Sequence, residues 1–140
     1  MSKPIALIVE DEPLIMIHAV DIVADAGSDG LEAANADAAV ALLEARGDIR
    51  VVVTDVQMPG SMDGVKLAKV VRDRWPPMLI VVLGHHKLQS GELPDDVTFL
   101  SKPYSARQMH QALSRMGYSK DEVILRRNSS SSSGVPLILS

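Results

Sequence analysis

The sequence contains no cysteine, few aromatic residues and no surplus of positive charge. Without cysteine, disulfide frameworks, thiolate zinc sites and cysteine nucleophiles are excluded. The net charge of −4 provides no basic field for a nucleic-acid backbone, so nucleic acid is not expected as a partner. No apolar run approaches the ~20 residues that span a bilayer, and the N-terminus lacks the apolar core of a signal peptide. These absences predict a cytoplasmic protein with no membrane partner.

Length and composition set the size of the fold. The chain has 140 residues, of which 46% are hydrophobic and 23% are charged. A chain of this size buries roughly two-thirds of its unfolded surface, so it needs no structural metal to fold. We therefore expect one globular domain.

Short apolar runs recur along the chain and predict five β-strands. The clear runs are residues 5–9, 51–53 and 79–83, and weaker ones lie near residues 30–34 and 97–100. Because the clear runs do not alternate with polar residues, they are typical of strands that are covered on both faces of a parallel sheet.

Helical periodicity lies between these strands. Residues 15–26 have an amphipathic pattern that Gly27 can end. Asp37 is the expected N-cap of a second helix that runs through Glu44, and a third helix is expected over residues 62–74. The expected buried face of the first helix comprises Ile15, Ala19, Ile22, Val23 and Ala26.

The last predicted helix begins after Ser105, which can cap it. Residues 84–93 have a poor helical pattern, so any fourth helix there should be short or mobile. Strands that alternate with helices predict a doubly wound α/β sandwich. The expected apolar face of the last helix comprises Ala106, Met109, Leu113 and Met116.

The end of the chain has a different composition. A serine run covers residues 129–133, and an apolar stretch follows at residues 135–139. Serine-rich composition is typical of flexible linkers. We therefore predict one domain over residues 1–118 and a flexible tail over residues 119–140.

Charged residues follow three predicted strands at the point where each strand ends. Glu10 and Asp11 follow the first strand, Asp55 follows the third, and Lys102 follows the fifth. In an open parallel sheet, ligands bind outside the carboxyl ends of the strands. We therefore expect three acids and one base to meet at one edge of the sheet.

Such a cluster favours a metal ion. Two carboxylates about 5 Å apart repel each other by about 3 kcal/mol at an effective dielectric constant of about 20. Carboxylate and carbonyl oxygens are the hard ligands that suit Mg²⁺, which commonly also binds phosphate oxygens. The ammonium group of Lys102 would hold a phosphoryl oxygen.

Four motifs give the sequence a family resemblance. They are VEDEP at residues 9–13, VTDVQMPG at 53–60, MDG at 62–64 and KPY at 102–104. In this combination and order, residues 3–117 resemble a response-regulator receiver domain. The resemblance implies a flavodoxin-like fold, a three-layer sandwich whose five parallel strands have the order 2-1-3-4-5.

The resemblance also implies roles for the clustered residues. Asp55 would accept a phosphoryl group from the phosphohistidine of a histidine kinase or histidine phosphotransfer protein. Asp11, Asp55 and the backbone carbonyl of Gln57 would bind Mg²⁺, and Glu10 would act mainly through water. Lys102 would hold the phosphoryl group, and its bond to the following proline is expected to be cis.

Three positions bear on how phosphorylation would be used. Receiver domains place a serine or threonine where this chain has Leu83, whose side chain can neither donate nor accept a hydrogen bond. The usual aromatic switch position matches Phe99, for which core packing is favoured over switching. Gln57 and His85 match positions that tune the lifetime of the acyl phosphate, although His85 could instead be a solvated loop residue.

Two functional hypotheses follow. The first is a phospho-accepting receiver that promotes its own phosphorylation and dephosphorylation but is not otherwise an enzyme. It would act by contacting a downstream protein or by draining phosphate from a kinase. The second is a receiver-shaped docking module that works independently of phosphorylation, because Leu83 lacks the hydroxyl group. A phosphatase of the haloacid-dehalogenase type is set aside, because Gln57 stands where those enzymes have a second aspartate.

Overall fold

A computed structural model describes residues 3–58, 60, 62–76, 78–85, 92–94 and 96–115. All strand pairs in its five-stranded sheet are parallel, and the strand order is β2-β1-β3-β4-β5. This confirms the predicted flavodoxin-like fold and its strand order. The strands are β1 (Ile5–Val9), β2 (Asp29–Ala33), β3 (Ile49–Asp55), β4 (Leu79–Gly84) and β5 (Thr98–Ser101).

Four helices lie among the described residues. They are α1 (Pro13–Asp25), α2 (Ala36–Ala45), α3 (Gly64–Arg74) and α4 (Ala106–Arg115). Most of the segment predicted as a short or mobile helix, residues 84–93, lies outside the described residues. The predicted tail, residues 119–140, also lies outside them, so its flexibility stays a prediction.

The helices cover both faces of the sheet. Buried side chains of α2 and α3 share one core cluster with Leu7 of β1 and Val52 of β3. Successive residues of a strand point to opposite faces, so the side chain of Ile8 lies on the face opposite to that of Leu7. On that face, the side chains of Ile8 and of Val20 in α1 both approach Gly30. On the same side, Nε2 of His110 in α4 is 3.1 Å from the carbonyl oxygen of Ile22. The result is the predicted three-layer sandwich.

The N-cap of α2 is Asn35 and not Asp37, so the prediction for this cap was wrong. The side chain of Asn35, not that of Asp37, accepts a hydrogen bond of 2.8 Å from the backbone N–H of Ala38. Asn35 has extended backbone and can reach back to the first turn, whereas Asp37 lies inside that turn. Ser105 does cap α4 as predicted, since its Oγ accepts from the backbone N–H of Gln108 at 3.0 Å.

The buried faces of two helices differ from the predicted ones. Ile15 is 36% exposed, and Met16 takes its place in the core. The start of α1 is apolar on every side, so periodicity alone cannot select its buried face. Ala106 is also exposed, whereas Met109 and Leu113 are buried as predicted.

The sheet and the first three helices lie in one compact unit, Met1–His110. The second unit, Gln111–Ser140, begins within α4, and the structure describes it only as far as residue 115. The predicted domain boundary at residue 118 therefore stays a prediction. In the described part of the chain, none of the helices is long and apolar enough to cross a bilayer.

Candidate functional site

Three carboxylates meet at the carboxyl edge of the sheet. Glu10 and Asp11 follow β1, and Asp55 is the last residue of β3. One ligand oxygen of each residue lies within 4.8 Å of the others. Because β1 and β3 are parallel neighbours, their ends necessarily deliver these side chains to the same place. The clustering that the sequence predicted is confirmed.

Lys102 faces this cluster from the end of β5. Its Nζ lies 2.7 Å from Oδ1 of Asp55 and 4.0 Å from Oε1 of Glu10. Its backbone N–H donates a 2.7 Å hydrogen bond to the carbonyl oxygen of Gly84, which fixes the backbone from which the side chain extends. The Lys102–Pro103 peptide bond is cis, as predicted. Among the described residues, one lysine side chain thus faces three carboxyl groups.

Burial raises the pKa of Glu10, which is only 5% exposed. The backbone N–H of Glu12 donates a 3.2 Å hydrogen bond to Oε2 of Glu10, which lowers the pKa of that carboxyl group. The charge of Asp55 raises the same pKa further. A carboxylate held in this way is stabilised by an added cation. The three acids therefore fit a hard divalent ion such as Mg²⁺.

The chain after Asp55 is held by close backbone contacts that the sequence did not reveal. The backbone N–H of Gly64 donates to the carbonyl oxygen of Val56 at 2.8 Å. A Cβ atom on Gly64 would lie 2.0 Å from the carbonyl oxygen of Asp55. Only glycine allows α3 to begin this close to the aspartate. The MDG motif at residues 62–64 was visible in the sequence, but the packing that requires glycine was not.

Tyr104 is a second residue whose place near the acids was not foreseen. Burial raises the pKa of its hydroxyl group, and the charges of Glu10 and Asp55 add to that effect. The phenol is therefore neutral across the physiological pH range. Its sequence signal was its position directly after the lysine and the cis proline.

The acids and Lys102 line an open cleft of about 470 Å³. Gln57 and His85 also line it, and both residues are exposed. Ile15, which lies outside the core, forms part of its wall. The cleft is large enough for a phosphoryl group and for contact with a larger donor.

The sequence profile of the response regulator receiver domain matches residues 6–114. The chain belongs to this family. Solved receiver structures agree with the assignment. A response regulator receiver protein from Sinorhizobium medicae is 26% identical at a TM-score of 0.76, and the match covers 81% of this chain and 94% of that one.

Two further structures share the fold at lower identity. Chemotaxis protein CheY4 of Vibrio cholerae is 24% identical at a TM-score of 0.72, covering 81% of this chain and 98% of its own. Response regulator TrrA of Thermotoga maritima, solved in complex with Mg²⁺-BeF, is 21% identical at a TM-score of 0.70. The match covers 83% of this chain and 99% of that one.

This receiver domain has an apolar side chain next to its central aspartate. Leu83 of β4 lies in register with Asp55 of β3 and with Leu100 of β5. Residues in register in a parallel sheet point to the same face, so Leu83 and Asp55 share one face. Leu83 is only 3% exposed, and its carbonyl oxygen accepts the backbone N–H of Val56 at 2.8 Å.

Proposed function

We propose that this receiver domain accepts a phosphoryl group on Asp55 from the phosphohistidine of a partner protein. The observation that carries the proposal is the contact between Asp55 and Lys102 at 2.7 Å, inside a cleft that also contains Glu10 and Asp11. Asp55 is only 9% exposed, but it lines the open cleft through which a donor can approach, and the adjacent ammonium group can balance the incoming negative charge.

The reaction is a transfer between two nucleophiles. An oxygen of Asp55 forms a bond to phosphorus while the bond from phosphorus to the donor imidazole nitrogen breaks. The electron pair of that bond returns to the imidazole, and Asp55 becomes an acyl phosphate. A carboxylate is a weak nucleophile, so the rate depends on positioning and charge neutralisation. Lys102 supplies part of that neutralisation when its Nζ moves its contact from Asp55 to a phosphoryl oxygen.

Mg²⁺ is the cofactor that fits the acidic cluster. Asp11, Asp55 and the backbone carbonyl of Gln57 are the proposed ligands, with Glu10 acting through water. Bound Mg²⁺ supplies positive charge against the phosphoryl oxygens. The complex of TrrA with Mg²⁺-BeF supports this choice, because that protein has the same fold.

Two exposed side chains in the cleft are proposed to set the lifetime of the acyl phosphate. Gln57 and His85 both line the cleft that contains Asp55. Their size and hydrogen-bonding groups determine how readily water reaches phosphorus. This role concerns the rate of hydrolysis and not the transfer itself.

A histidine kinase or histidine phosphotransfer protein is the proposed donor. Next to Ile15 in the cleft wall, Leu14 and Ile17 at the start of α1 are 80% and 56% exposed. These apolar side chains can contact a protein that brings its phosphohistidine to Asp55. After transfer, the domain acts through a downstream protein or serves as a phosphate sink.

Acetyl phosphate tests the proposal without a kinase. Intact-protein mass should increase by one phosphoryl group in the presence of Mg²⁺, and chelation of Mg²⁺ should prevent the increase. Asp55→Asn should abolish it, because the amide is not a competent nucleophile. Asp25→Asn, at the exposed end of α1, is the matched control and should react like the wild type. Equal phosphorylation of Asp55→Asn and wild type would contradict the assignment.

Leu83 favours one alternative function, a docking module that works independently of phosphorylation. The side chain of Leu83, in register with Asp55, has no hydroxyl group, so this position has no hydrogen bond to offer a phosphoryl group. In that case, Asp55→Asn would leave binding of the biological partner unchanged. A loss of the biological effect in the same variant would instead favour the phosphoacceptor.

A hydroxyl group at position 83 should couple phosphorylation of Asp55 to a structural change at the end of β4. We expect Leu83→Ser to enlarge the changes in backbone amide chemical shifts that phosphorylation produces at the end of β4. Leu83→Ala is the matched control, because it removes the same buried side chain without adding a hydroxyl group. Both variants should be checked by thermal unfolding, since truncating a buried leucine costs about 2–5 kcal/mol. Equal shift changes in the two variants would contradict the expectation.

A further inference from the structure

Thr54 places a hydroxyl group inside the core of the sheet, directly before Asp55. Thr54 and the three valines at residues 51–53 are all 0% exposed. Valine has the same branched shape without the hydroxyl group, so apolar packing alone does not account for threonine at this position. A buried hydroxyl group costs free energy unless it has a hydrogen-bond partner. The partners of this group therefore indicate what it contributes.

Two acceptors lie within hydrogen-bond distance of the Thr54 hydroxyl group. Its Oγ1 donates to the backbone carbonyl oxygen of Asp55 at 3.0 Å and lies 3.8 Å from Sδ of Met58. The hydroxyl group has one proton to donate, and the carbonyl oxygen is a stronger acceptor than the thioether sulfur. The side chain of Thr54 thus connects the backbone of Asp55 with a residue three positions further along the chain.

The start of α3 confines the same carbonyl group from another direction. A Cβ atom on Gly64 would overlap with the carbonyl oxygen of Asp55, and the backbone N–H of Gly64 donates to the carbonyl oxygen of Val56 at 2.8 Å. Met58 packs against the main core cluster. Gln57, which is exposed, therefore lies between two residues whose positions are fixed by buried contacts.

We propose that Thr54 is a positioning residue that fixes the backbone of residues 55–58 for the binding of Mg²⁺. Its hydroxyl group holds the carbonyl group of Asp55 and contacts Met58, so the carbonyl group of Gln57 between them keeps one orientation. This inference rests on the proposed function, in which Asp55 and that carbonyl group bind the metal ion. Thr54 acts only through its neighbours, because successive residues of a strand point to opposite faces of the sheet.

Thr54→Val tests the proposal, because it removes the hydroxyl group and retains the branched shape. In an NMR titration of the full chain with Mg²⁺ alone, we expect the dissociation constant to rise by about 10-fold or more, the usual effect of removing a group that orients metal ligands. Thr54→Ser keeps the hydroxyl group and should bind Mg²⁺ like the wild type. Equal affinity in Thr54→Val and the wild type would overturn the proposal.

Thr98→Val is the matched control, because it makes the same change at the other threonine of the chain. Thr98 is the first residue of β5 and lies in register with Val81, away from the strand ends that carry the acids. This variant should bind Mg²⁺ with unchanged affinity.

Urea unfolding separates positioning from support of the core. If Thr54→Val were less stable but bound Mg²⁺ normally when folded, the residue would have a structural role only, and the proposal would be overturned. If Thr54→Val does not fold, Met58→Leu removes the sulfur acceptor at nearly constant volume and should also weaken Mg²⁺ binding. Unchanged affinity in Met58→Leu would then overturn the proposal.

Hydrogen exchange tests the role of Thr54 without the metal ion. The amide proton of Gly64 is bonded to the carbonyl oxygen of Val56, so it should exchange faster in Thr54→Val than in Thr54→Ser or the wild type. Equal exchange rates would contradict the fixing of this segment by Thr54. If the wild type binds no Mg²⁺, the proposed cofactor is contradicted, while the exchange of Gly64 still decides whether the hydroxyl group fixes the segment.

Discussion

Gly64→Ala is expected to destabilise the domain and to abolish phosphorylation of Asp55. The added Cβ atom would lie 2.0 Å from the carbonyl oxygen of Asp55 and 2.9 Å from Cα of Val56. Both neighbours are backbone atoms, so no side-chain rotation can relieve the overlap. Overpacking of this kind costs about 1–3 kcal/mol or more, and here the displaced backbone carries the phosphoacceptor. Urea unfolding and the yield of phosphorylated protein measure the two effects.

Gly47→Ala separates the steric effect from the general effect of replacing glycine. No atom lies within 4 Å of the Cβ position on Gly47. This variant should be phosphorylated normally and should unfold within about 1 kcal/mol of the wild type. If Gly64→Ala were equally stable and equally reactive, the close approach of α3 to Asp55 would not be a requirement of the site.

Lys102→Met is expected to slow phosphorylation by about 10²–10³-fold, the usual effect of removing one group that stabilises developing charge. The wild-type ammonium group lies 2.7 Å from Asp55, and the lysine side chain is 12% exposed. Methionine preserves most of the side-chain length without the charge. The rate can be measured from the gain in intact mass with acetyl phosphate at saturating Mg²⁺.

Mg²⁺ binding distinguishes this effect from a loss of structure. Removing the ammonium group leaves the three carboxylates with less opposing charge, so the affinity for Mg²⁺ should be retained or increased. Lys69→Met, on the exposed side of α3, is the control and should change neither property. A normal phosphorylation rate in Lys102→Met would contradict the role of this lysine.

The clustering of the acids could be predicted because it depends on strand ends alone. The apolar runs identify β1 and β3, and parallel pairing then brings Glu10 and Asp55 to the same edge. The same reasoning applies to Lys102 after β5. The fold followed from equally local signals, since unbroken apolar strands alternated with helical patterns. Strand order came from the family resemblance and not from these patterns.

What the sequence did not reveal depends on distances between segments. Asn35 and Asp37 are both good capping residues, and only the backbone conformation selects Asn35. The requirement for glycine at position 64 arises from a carbonyl oxygen nine residues earlier in the chain. Phe99 of β5 likewise lies against Gly84 of β4, and no spacing within one segment could indicate this contact.

Trapping the acyl phosphate by chemical reduction tests the central claim most directly. Borohydride converts a phosphorylated aspartate into homoserine, because the carbonyl carbon of an acyl phosphate accepts hydride and loses phosphate. After reaction with acetyl phosphate and Mg²⁺, peptide mapping should find homoserine at position 55 and aspartate at position 11. Homoserine at position 11, or phosphate on a histidine or serine side chain with none on Asp55, would contradict the account.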